Sequence, residues 1–175
     1  FEAINHRNAI YYVEDIIRKE EPFSEWQIRN IHQLILKNID DDNAGRYRQQ
    51  NVLISGATTT PPDYTLLNDK MAQLVDWYNS EAHKLHPIER AAKVHADFVG
   101  IHPFIDGNGR TSRLLMNLEL LKAGYPPCVI TVENRLAYYE ALDQWMAYGK
   151  TEAFIKLVSD AVLEGFKPYQ VVLGI

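Results

Sequence analysis

Between His102 and Arg113 the chain gathers an imidazole, a carboxylate, a glycine-rich turn and two guanidiniums: His102-Pro103-Phe104-Ile105-Asp106-Gly107-Asn108-Gly109-Arg110-Thr111-Ser112-Arg113. Gly107-Asn108-Gly109 stands directly before an apolar run, Leu114 to about Ala123, that reads as a helix. Glycines allow positive φ and a close backbone approach. The first amides of a helix have no intrahelical acceptor, and together with the helix dipole they form an anion site. Arg110 and Arg113 are three residues apart, so both side chains can leave the first turn on one face. Two guanidiniums beside a nest of amides suit a multiply charged phosphate chain. Asp106 alone would repel phosphates, but with Mg²⁺ bound it can share the metal with phosphate oxygens. His102 titrates near neutral pH and can take a proton from an attacking hydroxyl, with Pro103 and Phe104 fixing its approach. Each feature alone is often only a turn, a solvated charge or a structural histidine. Their concentration in one short stretch is what argues for phosphate chemistry.

The elements that must position this stretch carry mostly the helical period. A first helix is predicted from about Ala3 to Lys19, with Ile10, Val13 and Ile17 on one face. Pro22-Phe23-Ser24 opens a second, where Ser24 and Gln27 form a capping-box pattern ahead of Ile28, Ile31 and Ile35; Asp40 to Gly45 ends it. From Arg46 to Pro62 the residues favour extended chain, with Ser55-Gly56 as a turn, which predicts a short hairpin or flap. Leu67, Met71, Leu74 and Tyr78 mark the next helix, and Pro87 starts another with Ile88, Ala91, His95 and Phe98 inward. After the loop and its apolar helix, Gly124 is placed as a cap and Pro126-Pro127 forbid continuation. Two further helices are expected near Glu133–Tyr148 and Thr151–Glu164, giving a mainly α domain of about seven or eight helices with one hairpin.

The chain has 175 residues, enough for one domain with a full-sized core, and its 46% hydrophobic and 23% charged content is that of a globular protein. No apolar window is long enough for a transmembrane helix, so no membrane partner is expected. The mixed, polar residues from Phe1 to Arg7 do not read as a signal peptide, and Phe1 in place of Met leads us to expect a segment upstream. Cys128 is the only cysteine and sits in an apolar setting, which predicts a buried, inert thiol and a reducing, cytoplasmic location. The net charge of −5 disfavours nucleic acid as a partner. His95, on an apolar face, reads as a core histidine; His6, His32, His83 and His86 lack metal-ligand spacing and read as surface or capping residues.

The stretch from His102 to Arg113 resembles the Fic family motif, H-x-F-x-[D/E]-G-N-G-R-x-x-R, at every fixed position. The likeness extends to Leu85-His86-Pro87, Leu114-Leu115-Met116-Asn117, Ala123-Gly124-Tyr125-Pro126-Pro127 and Tyr138-Tyr139, and runs over about 44–166 of a single domain spanning 1–175. It implies a mainly α Fic fold with a short β-hairpin flap. It implies a protein adenylyltransferase that moves AMP from ATP to a Ser, Thr or Tyr hydroxyl and releases pyrophosphate. His102 would be the general base and Asp106 the ligand of Mg²⁺, or of Mn²⁺ in its place. Gly107, Asn108 and Gly109 would cradle the α- and β-phosphates, the Asn108 amide adding a donor, while Arg110 and Arg113 bind the outer phosphates. Tyr138 and Tyr139 would lie near the adenine. Val52, Leu53, Ile54, Ser55 and Gly56 would belong to the flap that pairs with a target protein by strand addition.

Many members of the family carry an inhibitory helix with the pattern [S/T]-x-x-x-E-[G/N], whose glutamate pairs with the second motif arginine. The chain holds no match; Asp160-Ala161-Val162-Leu163-Glu164-Gly165 lacks the hydroxyl residue and falls on a core helix. The expectation is an inhibitory helix supplied in cis from upstream or in trans by another chain, homo-oligomers included. Removal of AMP from a modified protein, a phosphocholine or UMP donor, and a non-enzymatic nucleotide- or protein-binding module are the alternatives. Gly109 argues against the phosphate-moving branch, which has lysine there.

Overall fold

The computed structural model describes residues 1–174 as seven α-helices and two single 3₁₀ turns. In chain order the helices are α1 (Glu2–Arg18), α2 (Glu25–Leu36), α3 (Leu67–Ser80), α4 (Pro87–Ile101), α5 (Asn108–Lys122), α6 (Arg135–Tyr148) and α7 (Glu152–Leu173). The 3₁₀ turns, Tyr64–Leu66 and Ala82–Lys84, lead into α3 and α4. Local chemistry sets the starts. Ser24 caps α2 by accepting from the Gln27 amide at 3.4 Å, and the His86 side chain accepts from Ile88 ahead of Pro87 at the first position of α4.

The two central helices, α4 and α5, pack against each other more extensively than any other pair. Each turns one apolar face to either side. On one side Val94, Phe98, Leu114, Leu115 and Leu118 meet α1, α2 and α3. On the other side Ala92, Ala96, Met116 and Leu120 meet Tyr138, Leu142, Phe154 and Val158 of α6 and α7. The loop between α4 and α5 is therefore held by helices whose own positions are fixed from both sides. Glu119 of α5 is fully buried yet paired, accepting from Arg90 Nε at 2.8 Å and from the Tyr78 hydroxyl at 2.6 Å. A buried carboxylate is tolerated only when its oxygens are met in this way.

Three sequence expectations need correction. Residues 46–63 form no hairpin, and no strand occurs among the described residues. Their backbone groups are taken by other partners: Arg48 N–H donates to the Pro103 carbonyl, Thr58 N–H to Asp143, and the Gln50 and Pro62 carbonyls accept from the Arg48 side chain. A ladder would need those groups free. The β-branched residues instead form a strap whose exposure alternates, with Val52 and Ile54 half-buried and Leu53 80% exposed. Helix α7 also runs past Glu164, through Gly165 and Pro168. Gly165 is no stop: a Cβ there would lie 3.1 Å from the Pro126 ring, so the glycine lets the helix approach that turn. Finally, α5 begins at Asn108, six residues before its apolar run. No helix among the described residues is long and apolar enough to cross a membrane. Cys128 is buried, which pushes its thiol pKa up to about 12.

Candidate active site

His102 ends α4. Pro103 disfavours the right-handed helical region for the residue before it, and His102 takes the left-handed region, φ 51° and ψ 58°, while its N–H still bonds the Phe98 carbonyl. Such a conformation in a non-glycine residue costs on the order of 1–3 kcal/mol and persists where the surroundings impose it. Here they do. The Phe104 side chain, fully buried, anchors the loop in the core. The Asn108 side chain folds back on it, accepting from Phe104 N–H at 3.0 Å and donating to the Phe104 carbonyl at 2.8 Å.

His32 clamps the loop from beneath. Its Nδ1 accepts from the Gly45 amide at 2.9 Å, which assigns the ring proton to Nε2, and Nε2 donates to the Asp106 carbonyl at 2.8 Å. Burial drives its pKa down to about 4, against the opposing pull of Asp106, so the ring is neutral. His32 is thus a core residue and not the surface or capping group its sequence context suggests. His86 does cap α4.

Gly107 turns the chain into α5 with φ 79°. It has no side chain to cap the helix, and the first main-chain bond of α5 runs from Thr111 N–H to the Gly107 carbonyl. The amides of Asn108, Gly109 and Arg110 precede that bond, as an anion site requires. The Asn108 side chain is spent on Phe104, so what this residue can give an anion is its main-chain N–H. Arg113 is half-buried and its guanidinium lies back over Gly109: a Cβ there would be 3.4 Å from Nη1. Arg110 donates to Asp106 at 2.9 Å and to Glu2 at the start of α1 at 2.8 Å. Asp106 keeps its side chain 68% exposed at the mouth of the loop.

The His102 ring is half-buried. Its Nδ1 is buried without a partner, which leaves Nε2 as the nitrogen open to solvent. Burial lowers its pKa; the Val99 backbone opposes, Arg48 adds to the lowering, and Asp106 opposes. At neutral pH the imidazole is therefore an unprotonated base.

The two tyrosines part company. Tyr138 is buried, its hydroxyl 2.9 Å from His95 Nε2, and burial raises its pKa to about 12. Tyr139 is half-exposed under Arg135. His95 is a fully buried core residue bridging Tyr138 and Ser112, its pKa lowered to about 3 by burial and then by Arg113. A cavity of about 690 Å³ lies between the end of the strap, α3, α4 and α6, bounded by Thr60, Trp77, Lys93, Gly100 and Met146. None of the motif residues from His102 to Arg113 lines it.

The chain that carries this loop has counterparts among known proteins. The sequence model of the Fic/DOC family matches residues 22–120. The chain belongs to the Fic/DOC family. It is 41% identical over 160 residues to a protein adenylyltransferase Fic of Nematostella vectensis, covering 90% of this chain and 37% of that protein. It is 43% identical over 116 residues to the protein adenylyltransferase fic-1 of Caenorhabditis briggsae, covering 66% and 22%. The solved structure of Fic-1 residues 134–508 from Caenorhabditis elegans superposes with a TM-score of 0.88 at 34% identity, covering 99% of this chain and 51% of that one. The chain thus spans less than two fifths of the two full-length Fic relatives. The Fic fold accounts for the mainly helical architecture, and the family match includes the loop with His102, Asp106 and Arg113.

Two buried groups that bond the loop escaped the sequence reading, His32 and Arg48. His32 had no signal beyond a position on the inner face of α2. Arg48 stands in a segment whose composition suggested a strand, and nothing in its neighbours marks it as buried.

Proposed function

We propose that this chain transfers the AMP group of ATP to a hydroxyl of a protein. The observation that carries the reading is the short, pinned loop joining an unprotonated His102 to the open amides of Asn108, Gly109 and Arg110. The printed names of the relatives, protein adenylyltransferase, point the same way.

In this reading the amides and Arg113 bind and orient the triphosphate. His102 accepts the proton of the target hydroxyl at Nε2. The freed oxygen bonds to the α-phosphorus, the bond from that phosphorus to the bridging oxygen breaks, and pyrophosphate leaves. Positioning and charge neutralisation supply most of such catalysis. The donor set at the loop fits Mg²⁺, which commonly takes one or two carboxylates plus phosphate oxygens. Asp106 offers one exposed carboxylate, and no cluster of three ligating side chains occurs among the described residues to hold a metal without phosphate. Asp106 would hold Mg²⁺, or Mn²⁺, whose chemistry is to neutralise phosphate charge. Arg110 would exchange Glu2 and Asp106 for phosphate oxygens. Of the two tyrosines, Tyr139 and not the buried Tyr138 has surface to offer the adenine. The half-exposed strap from Val52 to Gly56 is the target-docking segment. Regulation by a glutamate reaching Arg113, from elsewhere in the full protein or from a second chain, belongs to the same reading.

The test is to incubate the chain with Mg²⁺ and ATP labelled at either the α- or the γ-phosphate in a cell lysate. Protein labelled from the α-position alone, with a mass increase of one AMP group, is the expected outcome. Label from the γ-position, or none from either, contradicts it.

A further inference from the structure

Arg48 is a cation that the fold buries with no carboxylate bonded to it among the described residues. Only 3% of it is exposed, and burial pulls its pKa down, with Asp63 opposing from longer range. Burying a charge is costly unless its donors are met. Here they are met by carbonyl oxygens from three separate places. Nε donates to the His102 carbonyl at 2.9 Å, Nη1 to the Gln50 carbonyl at 2.8 Å and Nη2 to the Pro62 carbonyl at 2.6 Å. The Arg48 main-chain N–H donates to the Pro103 carbonyl at 2.9 Å.

The pattern has a direct mechanical meaning. Gln50 and Pro62 are the two ends of the strap, and His102 and Pro103 are the point where α4 gives way to the loop. A guanidinium is a rigid planar fork, so three carbonyls bound to it are fixed relative to one another. The left-handed backbone of His102 is one of the three. The ring itself makes no side-chain hydrogen bond, its buried Nδ1 facing only the Val99 backbone. The backbone is therefore what sets the position of the imidazole.

We propose that Arg48 is a positioning residue that locks the strap and His102 into one register, so that a hydroxyl docked on the strap meets the imidazole at a set distance. The proposal rests on the AMP-transfer reading for its functional consequence, but the lock itself does not. Arg48 reaches carbonyls that the anion site does not use, so its loss should leave ATP binding intact. A lysine keeps the charge and loses the fork.

The test compares the wild-type chain with Arg48→Lys and Arg48→Met by thermal melting, ATP affinity, steady-state AMP transfer and hydrogen exchange of residues 49–62 and 102–106. The lysine variant keeps the protein measurable should Arg48→Met fail to fold. Arg48→Lys is expected to melt near the wild-type temperature and bind ATP within about 2-fold, since no phosphate contact is lost, while kcat falls roughly 10- to 10²-fold, as misplacing a reacting group does. Exchange should accelerate in both segments together, and α1 and α2 should stay protected. Wild-type kcat in Arg48→Lys, or unchanged exchange in either segment, overturns the proposal. Should the wild-type chain transfer no AMP at all, the AMP-transfer reading fails, and the exchange comparison still decides whether the lock exists.

Discussion

The rings of His32 and Phe104 lie face to face, centroids 3.5 Å apart and planes 2° from parallel. The first belongs to α2 and the second to the loop that carries His102, so one stacked pair transmits the position of the outer helices to the site. His32 is neutral in the fold, with a pKa near 4 against an ordinary 6.5. Its folded pKa is depressed, so its contribution to stability is complete above pH 6.5 and lost as pH falls from there towards 4. A gap of that size corresponds to roughly 3 kcal/mol in full, of which on the order of 2 kcal/mol is lost by pH 5. His95, with a pKa near 3, adds a loss of the same sign. Chemical denaturation at pH 7.5 and pH 5 should show the wild type losing more stability than His32→Gln. Equal losses would contradict the account of His32.

Gly107 leaves no room for a side chain. Its φ is 79°, and a Cβ would lie 3.1 Å from both Cδ2 and Nε2 of His32. Gly107→Ala must strain the turn or displace the clamp, and should destabilise by about 1–3 kcal/mol. A lower urea midpoint at unchanged slope is the expected signature. An unchanged midpoint would show that the turn can relax.

The two motif arginines should differ in nucleotide binding. Arg113 lies over the glycine turn with no carboxylate partner in hydrogen-bond contact among the described residues, whereas Arg110 is shared between Glu2 and Asp106. Arg113→Ala should weaken ATP binding roughly 10- to 10²-fold, the worth of one or two charge-assisted hydrogen bonds. Glu2→Gln should free Arg110 and tighten ATP binding by no more than about 5-fold, since Glu2 is largely exposed and such pairs are weak. Calorimetric titration with ATP reads both. Looser binding in Glu2→Gln would mean that Glu2 holds Arg110 in place rather than competing for it.

Burial lowers the pKa of His102. A general base works only when unprotonated, so kcat should hold steady as pH falls to about 6.5, the ordinary histidine value, and drop only below it. An acid limb above that value would assign it to another group.

Much of this arrangement was legible in the sequence because it is local. The cap at Ser24, the helix faces and the run from His102 to Arg113 depend on neighbours a few residues apart. The strap was not, because its β-branched residues state a preference that only a partner strand can satisfy, while its own Arg48 and the distant Asp143 take up its backbone instead. His32 was missed for a related reason: its partners Gly45, Phe104 and Asp106 meet it only in the fold.

The central claim is that His102 does the proton transfer and does not hold the nucleotide. Its most direct measurement is kcat for AMP transfer alongside ATP affinity in His102→Ala and wild type. The account predicts a loss of at least about 10²-fold in kcat, the lower range for removing a general base, with ATP affinity within about 3-fold because no phosphate contact is lost. Equal kcat in the two proteins would contradict it.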